Sequence, residues 1–303
     1  MANVLNGTQA VVIAQTGLAE FSKALINMNV FTTDFSANAE RAGIVKTRIV
    51  PASQDAVLLS DYNYDRTHSN VCADSTTDEV IITLSDYAVG FHMDDADVQR
   101  MSPGVVTDTR DKLLAKKANA LAAKVQMLAF GLIKDSAYGD PVFSNVAAQF
   151  NTNVISDIRK EANEAGWKGT QSIVLNSDFT NVIRKDESVK YRYASGKDTN
   201  ESGIIGKLSG FDIQESTILP ANSEYLAGFA CTPDCLAIAV RPTFTQASDM
   251  LLAYEVATDP ATGLTIVYRA FYLPQVGKTY HTYEVSAGVQ VGVKSALKRI
   301  VTQ

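Results

Sequence analysis

The residues of this chain best suited to chemistry lie in the stretch FHMDDADVQR, which gathers His92, Asp94, Asp95 and Asp97. Carboxylates and an imidazole can hold a hard cation or pass a proton, so a metal site or an acid–base pair is the chemistry these types would do. Either use requires the side chains to converge on one point. In an extended chain Asp95 and Asp97 share one face while Asp94 points away, which works against convergence. The same residues also fit a capped turn or a charged surface facing a second subunit.

A second candidate is Cys231-Thr232-Pro233-Asp234-Cys235. A structural zinc site needs four ligands, and the chain offers only Cys72 besides this pair. The spacing therefore predicts two structural cysteines flanking a turn. A third is GIIGKLSGFDIQESTILP, with Gly203, Gly206 and Gly210. Lys207 follows Gly206 as in a phosphate loop, but Leu208 stands where that loop needs a hydroxyl. The alternation of Phe211, Ile213 and Glu215 with Asp212, Gln214 and Ser216 predicts a strand, so no helix N-terminus faces a ligand here. His68 and His281 stand alone, as solvated or hydrogen-bonded histidines do. VKYRYAS mixes basic and aromatic residues, which suits stacking on nucleic acid or a contact between subunits. No G-x-S-x-G or H-E-x-x-H is present, and no Cys-His pair stands in a recognisable context. The expectation is a protein without catalytic residues, metal or cofactor.

The bulk properties point the same way. The chain has 303 residues, 46% hydrophobic and 20% charged, enough apolar material for a substantial core. A net charge of −6 lacks the basic stripe of a sequence-specific nucleic-acid reader, yet suits a protein that encloses nucleic acid without gripping it. Three cysteines cannot all pair within one chain, which favours folding in a reducing compartment. The opening MANVLNGTQAVVIAQTGLAEF lacks a basic n-region and is too often interrupted by polar residues for a membrane span, so no membrane association is expected.

These residues must be positioned by a recognisable order of elements. Residues 1–42 read as an arm with one short helical segment carrying Leu18, Phe21, Leu25 and Ile26 on one face. GIVKTRIVPA and DEVIITLSDYAVGFHM read as extended, and the polar segment between them predicts a long projecting hairpin. Asp108 is expected to cap a helix running to Lys134, about 40 Å at about 1.5 Å per residue. Its stripe is Leu114, Ala118, Leu121, Val125, Leu128 and Leu132. A helix with Val154, Ile155, Ile158 and Ala162, the strand SIVLN, and a helix capped by Ser177 or Asp178 follow. LAIAVRP fits strand or helix, and the remainder reads as several strands.

In this order the parts resemble the major capsid protein of tailed bacteriophages. The resemblance rests on the arm, the hairpin, the long helix DTRDKLLAKKANALAAKVQMLAFGLIKD, the pattern VLNSDFTNVIRKD, the glycine-marked GIIGKLSGFDIQESTILP, EYLAGFACTPDCLAIAVRP and the ending VSAGVQVGVKSALKRIVTQ. It implies an α+β, HK97-like fold with an N-terminal arm (1–42), an extended hairpin loop (43–90), a peripheral domain with the spine helix (91–138 and 256–303) and an apical domain (139–255). It further implies self-assembly into hexamers and pentamers of an icosahedral shell around double-stranded DNA, with no sequence-specific grip on it. An encapsulin-type nanocompartment shell is the alternative, and a metal-dependent enzyme using Asp94 to Asp97 a more distant one. Only a short arm precedes the hairpin, so a separate scaffolding protein is implied. A portal and a decoration protein are further partners the resemblance allows. Folding and assembly in the host cytoplasm and residence in the virion capsid follow from it. Hairpins of this fold lie along the neighbouring subunit near its spine helix, so Lys46 and Arg48 are expected to meet Asp94, Asp95 and Asp97 of the next copy.

Overall fold

The computed structural model describes residues 7–24, 28–36, 39, 43–49, 78–100, 103–186, 189, 205–219, 222–243, 251–258 and 264–302. The hairpin tip, His68, Cys72, Leu25, Ile26, Gly203 and most of VKYRYAS lie outside them.

The long helix, α3, runs from Pro103 to Gly131 and so begins before Asp108. Proline suits a first helical turn, where its missing N–H leaves no bond unmade. Asp108 therefore does not cap the helix but pairs with Lys112 one turn on, at 2.7 Å. Leu114, Ala118, Leu121 and Val125 are buried as the stripe predicts, whereas Leu128 and Leu132 are only partly so. A spacing of three and four drifts by about 20° per heptad around a straight helix, and burial passes to Ala122, Ala129 and Phe130. Past the helix end, Asn222 Nδ2 donates to the carbonyls of Phe130 and Ile133 at 3.2 and 2.8 Å.

Helix α3 packs on a six-stranded sheet. In this sheet β11 (Ala253–Thr258), β12 (Thr265–Leu273) and β13 (Lys278–Val291) form an antiparallel meander. The free edge of β13 pairs with β4 (Ser85–Asp94), and its far end with β10 (Leu236–Arg241), which pairs in parallel with β1 (Thr32–Asp34). LAIAVRP is thus a strand. His281, Tyr283, Val285 and Ala287 alternate toward the helix side, with Tyr87, Val89 and Phe91 of β4 packed against the same core.

The expected arm is in large part core. Helix α1 (Gly7–Ala24) buries Ala10, Ile13, Ala14, Leu18 and Phe21 against α3, β11 and β12. At Gly17 the backbone comes so close to Tyr283 that any Cβ would overlap its ring, and the Tyr283 hydroxyl donates to the Ile13 carbonyl at 2.9 Å. Composition did not reveal this because short runs of Gly, Gln and Thr interrupt the apolar face.

A second six-stranded sheet has the order β5 (Phe143–Ser144), β14 (Leu297–Val301), β9 (Leu226–Cys231), β6 (Ser172–Leu175), β8 (Phe211–Glu215), β7 (Lys207–Leu208). Helices α5 (Thr152–Glu164) and α6 (Ser177–Lys185) supply Ile155, Ile158, Phe179 and Ile183 to its core. Asn151 caps α5, and Asn176, rather than Ser177 or Asp178, caps α6 by accepting from the Phe179 N–H at 3.0 Å. Between β7 and β8, Ser209 and Gly210 have φ of 50° and 88°, the positive pair that a two-residue hairpin turn requires. From Lys207 to Glu215 the glycine stretch is a turn feeding a strand.

Sheet membership does not follow the boundaries expected at 139 and 256: Leu236–Arg241 lies in the first sheet and Leu297–Val301 in the second. The chain crosses between sheets after α3, between β9 and β10, and between β13 and β14. Finally, β2 (Ile44–Ile49) and β3 (Asp78–Thr83) pair antiparallel as the base of a hairpin.

Candidate assembly surface

On the hairpin base the period of two divides the residues cleanly. Val45, Thr47, Val80 and Ile82 are buried, the apolar three among them packing with Ala39, Ala237 and Ala239. Ile44, Lys46, Arg48, Glu79, Ile81 and Thr83 face outward and exposed. Lys46 Nζ lies 3.4 Å from Glu79 Oε1 of the adjoining strand, an ion pair exposed on both sides. Arg48 stands opposite Glu79 in register.

The acidic residues sit where β4 turns into the short helix α2 (Asp95–Arg100). Because the helix begins at Asp95, Asp95 and Asp97 are about 200° apart around its axis rather than on one face. Asp94 Oδ1 lies 3.2 Å from Lys278 Nζ and 3.9 Å from His92 Nε2. Asp95 accepts the Tyr272 hydroxyl at 2.6 Å and donates its backbone N–H to the Gly277 carbonyl at 3.0 Å. That carboxylate raises the Tyr272 phenol above its ordinary range. Asp97 is exposed in the first helical turn, where a negative charge complements the helix dipole. The three carboxylates thus turn to different surroundings. Among the described residues no three His, Cys, Asp or Glu side chains gather as a metal site would need.

Beside this corner the outer face of the first sheet carries an aromatic row. Phe271, Tyr280 and His92 stand in register across β12, β13 and β4, with centroids 5.1 and 5.6 Å apart. Tyr272, Leu273 and Val276 are exposed at the end of the β12–β13 hairpin. Acidic residues beside exposed apolar ones, and basic residues beside Ile44 and Ile81, are two surfaces of complementary charge on one chain.

The remaining candidates are structural. His281 is buried, with Nδ1 2.8 Å from the Tyr268 hydroxyl and its ring stacked on Phe91. Burial, with the nearby Arg110 guanidinium, lowers its pKa to about 4. Cys231 and Cys235 are buried free thiols around a single 3-10 turn. Sequence reasoning missed Arg299, whose side chain is 3% exposed and ion-paired with Asp135 and Glu224. Its only sequence signal is its place in LKRIV, where Arg299 falls on the same face as Leu297 and Val301 while Lys298 falls on the other. Tyr225 was also missed: it is 68% exposed with φ of 54°, uncommon for an aromatic residue.

No protein-family model matches the sequence, and no curated protein matches it either. Solved structures do. A structure of Mycobacterium phage Che8 covers 91% of this chain and 90% of its own, at 16% identity and a TM-score of 0.55. The asymmetric unit of the bacteriophage PhiM1 mature capsid covers 91% and 86%, at 11% identity and 0.57. The capsid of a native GTA particle covers 93% and 91%, at 15% identity and 0.56. At such identities the shared property is the fold, and this chain has the α+β, HK97-like fold of phage capsid subunits.

Proposed function

We propose that this chain is the major capsid protein of a tailed bacteriophage, a shell subunit that self-assembles into hexamers and pentamers around double-stranded DNA. The observation that carries the reading is the likeness to the PhiM1 and GTA capsid structures over about nine-tenths of both partners. In this reading the first sheet with α1 and α3 is the peripheral part and the second sheet the apical part. The subunit is a building block rather than an enzyme. It is assembled in the host cytoplasm with a separate scaffolding protein and a portal, and it resides in the virion.

The contact between copies joins the outer face of the hairpin to the β4–α2 corner of the next subunit. Lys46 is already engaged by Glu79, Asp94 by Lys278 and Asp95 by Tyr272, so these three contribute general charge complementarity. Arg48 and Asp97 have no ion pair with a described residue and are the pair most available to a neighbour. The test is negative-stain microscopy of the purified chain, alone and co-expressed with the neighbouring genes of its source. Closed shells or five- and six-fold rings are expected, with nuclease-protected DNA in particles from the source. A chain that stays monomeric in every setting overturns the reading, and protected protein cargo instead of DNA redirects it to a nanocompartment.

A further inference from the structure

The crossing from β9 to β10 holds a feature that shell building does not use. Cys231 ends one strand, Cys235 precedes the next, and Pro233–Cys235 form a single 3-10 turn between them. Both side chains reach consecutive peptides of one segment: Cys231 Sγ lies 3.9 Å from the Val30 carbonyl, besides 3.6 Å from that of Ser172, and Cys235 Sγ 3.0 Å from the Phe31 carbonyl. Flanking one turn and aimed at adjacent carbonyls, the two thiols are neighbours in the fold, and opening of the turn is the motion that would let them meet in a bond.

The turn is also where the chain's crossings between sheets are tied together. The Cys235 carbonyl accepts the Gly292 N–H at 2.9 Å and the Tyr138 hydroxyl at 2.6 Å. The Val293 N–H donates to Asp234, and the Thr232 N–H to Ala296. All three crossings thus meet at one five-residue segment.

We propose that Cys231 and Cys235 are a dithiol that a peroxide converts into an intrachain disulfide, closing covalently the turn on which the three crossings meet. Attack of one thiolate on the peroxide breaks the O–O bond, gives a sulfenic acid and releases one water. The second thiol displaces the sulfenic oxygen as a second water, and one S–S bond forms. The pair loses two electrons and two protons, which the peroxide takes up. A thiol reductant reverses the step.

Both cysteines are fully buried, and burial pushes the Cys235 thiol well above its ordinary range. Oxidation therefore waits on opening of the turn, and the Tyr138 hydroxyl is the latch that opposes opening. A subunit that folds reduced is locked slowly once it meets an oxidant.

The experiment treats the purified full-length chain with hydrogen peroxide and follows thiol titre in denaturant together with peptide mass spectrometry. The expected result is loss of two of the three thiols and a cross-linked peptide joining Cys231 to Cys235, reversed by dithiothreitol. Cys72→Ser should leave the cross-link unchanged, and Cys231→Ser should abolish it. Tyr138→Phe, which removes the latch while keeping the ring, should form it several-fold faster. A disulfide that includes Cys72 overturns the proposal. So does accumulation of sulfinic or sulfonic acid without cross-link, or survival of all three thiols in Tyr138→Phe.

Discussion

Arg299 and Asp135 join the end of the long-helix segment to the second sheet: Nη2 lies 2.7 Å from Oδ1, with the arginine side chain 3% exposed. The same guanidinium bonds Glu224 and donates through Nε to the Gly139 carbonyl at 2.9 Å. Glu224 also accepts the Asp135 N–H at 2.8 Å, so one cation organises the first turn of α4 (Asp135–Tyr138) and the loop before β9.

Arg299→Met should therefore destabilise the subunit by about 2–4 kcal/mol, since breaking a buried ion-pair network leaves its partners poorly satisfied. Partial exposure of Asp135 and Glu224 puts the value toward the lower end. Arg299→Lys keeps the charge but loses the planar fork, and should fall between. Urea unfolding midpoints of the isolated subunit give the order. Equal stability of Arg299→Met and wild type would show the network to be incidental.

His281 gives a pH dependence of definite sign. Its pKa is about 4 in the folded chain against an ordinary 6.5, so between those values the unfolded chain binds the extra proton. Its contribution is complete above pH 6.5 and is lost as pH falls toward 4, amounting to about 3 kcal/mol. Arg110 opposes and Asp111 favours protonation from α3, and Tyr268 holds Nδ1 from β12. Denaturant unfolding at pH 7 and pH 4.5 should show a smaller loss in His281→Gln than in wild type.

The long helix offers a test of packing. Leu121 is 2% exposed at the middle of the buried stripe, so Leu121→Asp places an unpaired carboxylate among Leu114, Ala118 and Val125. A cost of several kcal/mol should abolish soluble subunit, whereas Lys124→Glu on the exposed side should leave folding intact. Circular dichroism and yield after identical expression distinguish the two.

What the sequence disclosed, and what it hid, follows from the range of the forces involved. Local signals were readable: the stripe of α3, the alternation of FDIQES, and the polar cap of α6, expected at Ser177 or Asp178 and found at Asn176. Each depends on neighbours within one or two turns of chain. The burial of α1 depends instead on Tyr283, far along the sequence, and on the space left at Gly17. Arg299 was invisible for the same reason, because Asp135 and Glu224 reach it from distant segments. At the candidate surface the residue types at Lys46, Arg48, Asp94, Asp95 and Asp97 were legible, but their intrachain partners Glu79, Lys278 and Tyr272 were not. Pairing across strands is set by register, which no local pattern specifies.

Those partners sharpen the prediction about assembly. If hairpin and corner meet between copies, Arg48 and Asp97 should matter more than Lys46 and Asp94, which already have ion-pair partners within the chain. One exposed ion pair is worth about 0–1 kcal/mol, too little to notice in a monomer, but in the proposed shell the contact would recur around every ring and the assembly would feel the sum. Arg48→Glu should slow or block shell formation and leave the subunit folded, while Lys46→Gln should have a smaller effect. Salt should weaken wild-type assembly, because both surfaces are open to solvent. Asp97→Arg combined with Arg48→Glu reverses the pair and should restore part of the rate, the result a general loss of charge would not give. Light scattering across a salt series measures all four proteins. Wild-type assembly by Arg48→Glu at low salt would remove the ion pair from the contact and leave Ile44 and Ile81 as its apolar basis.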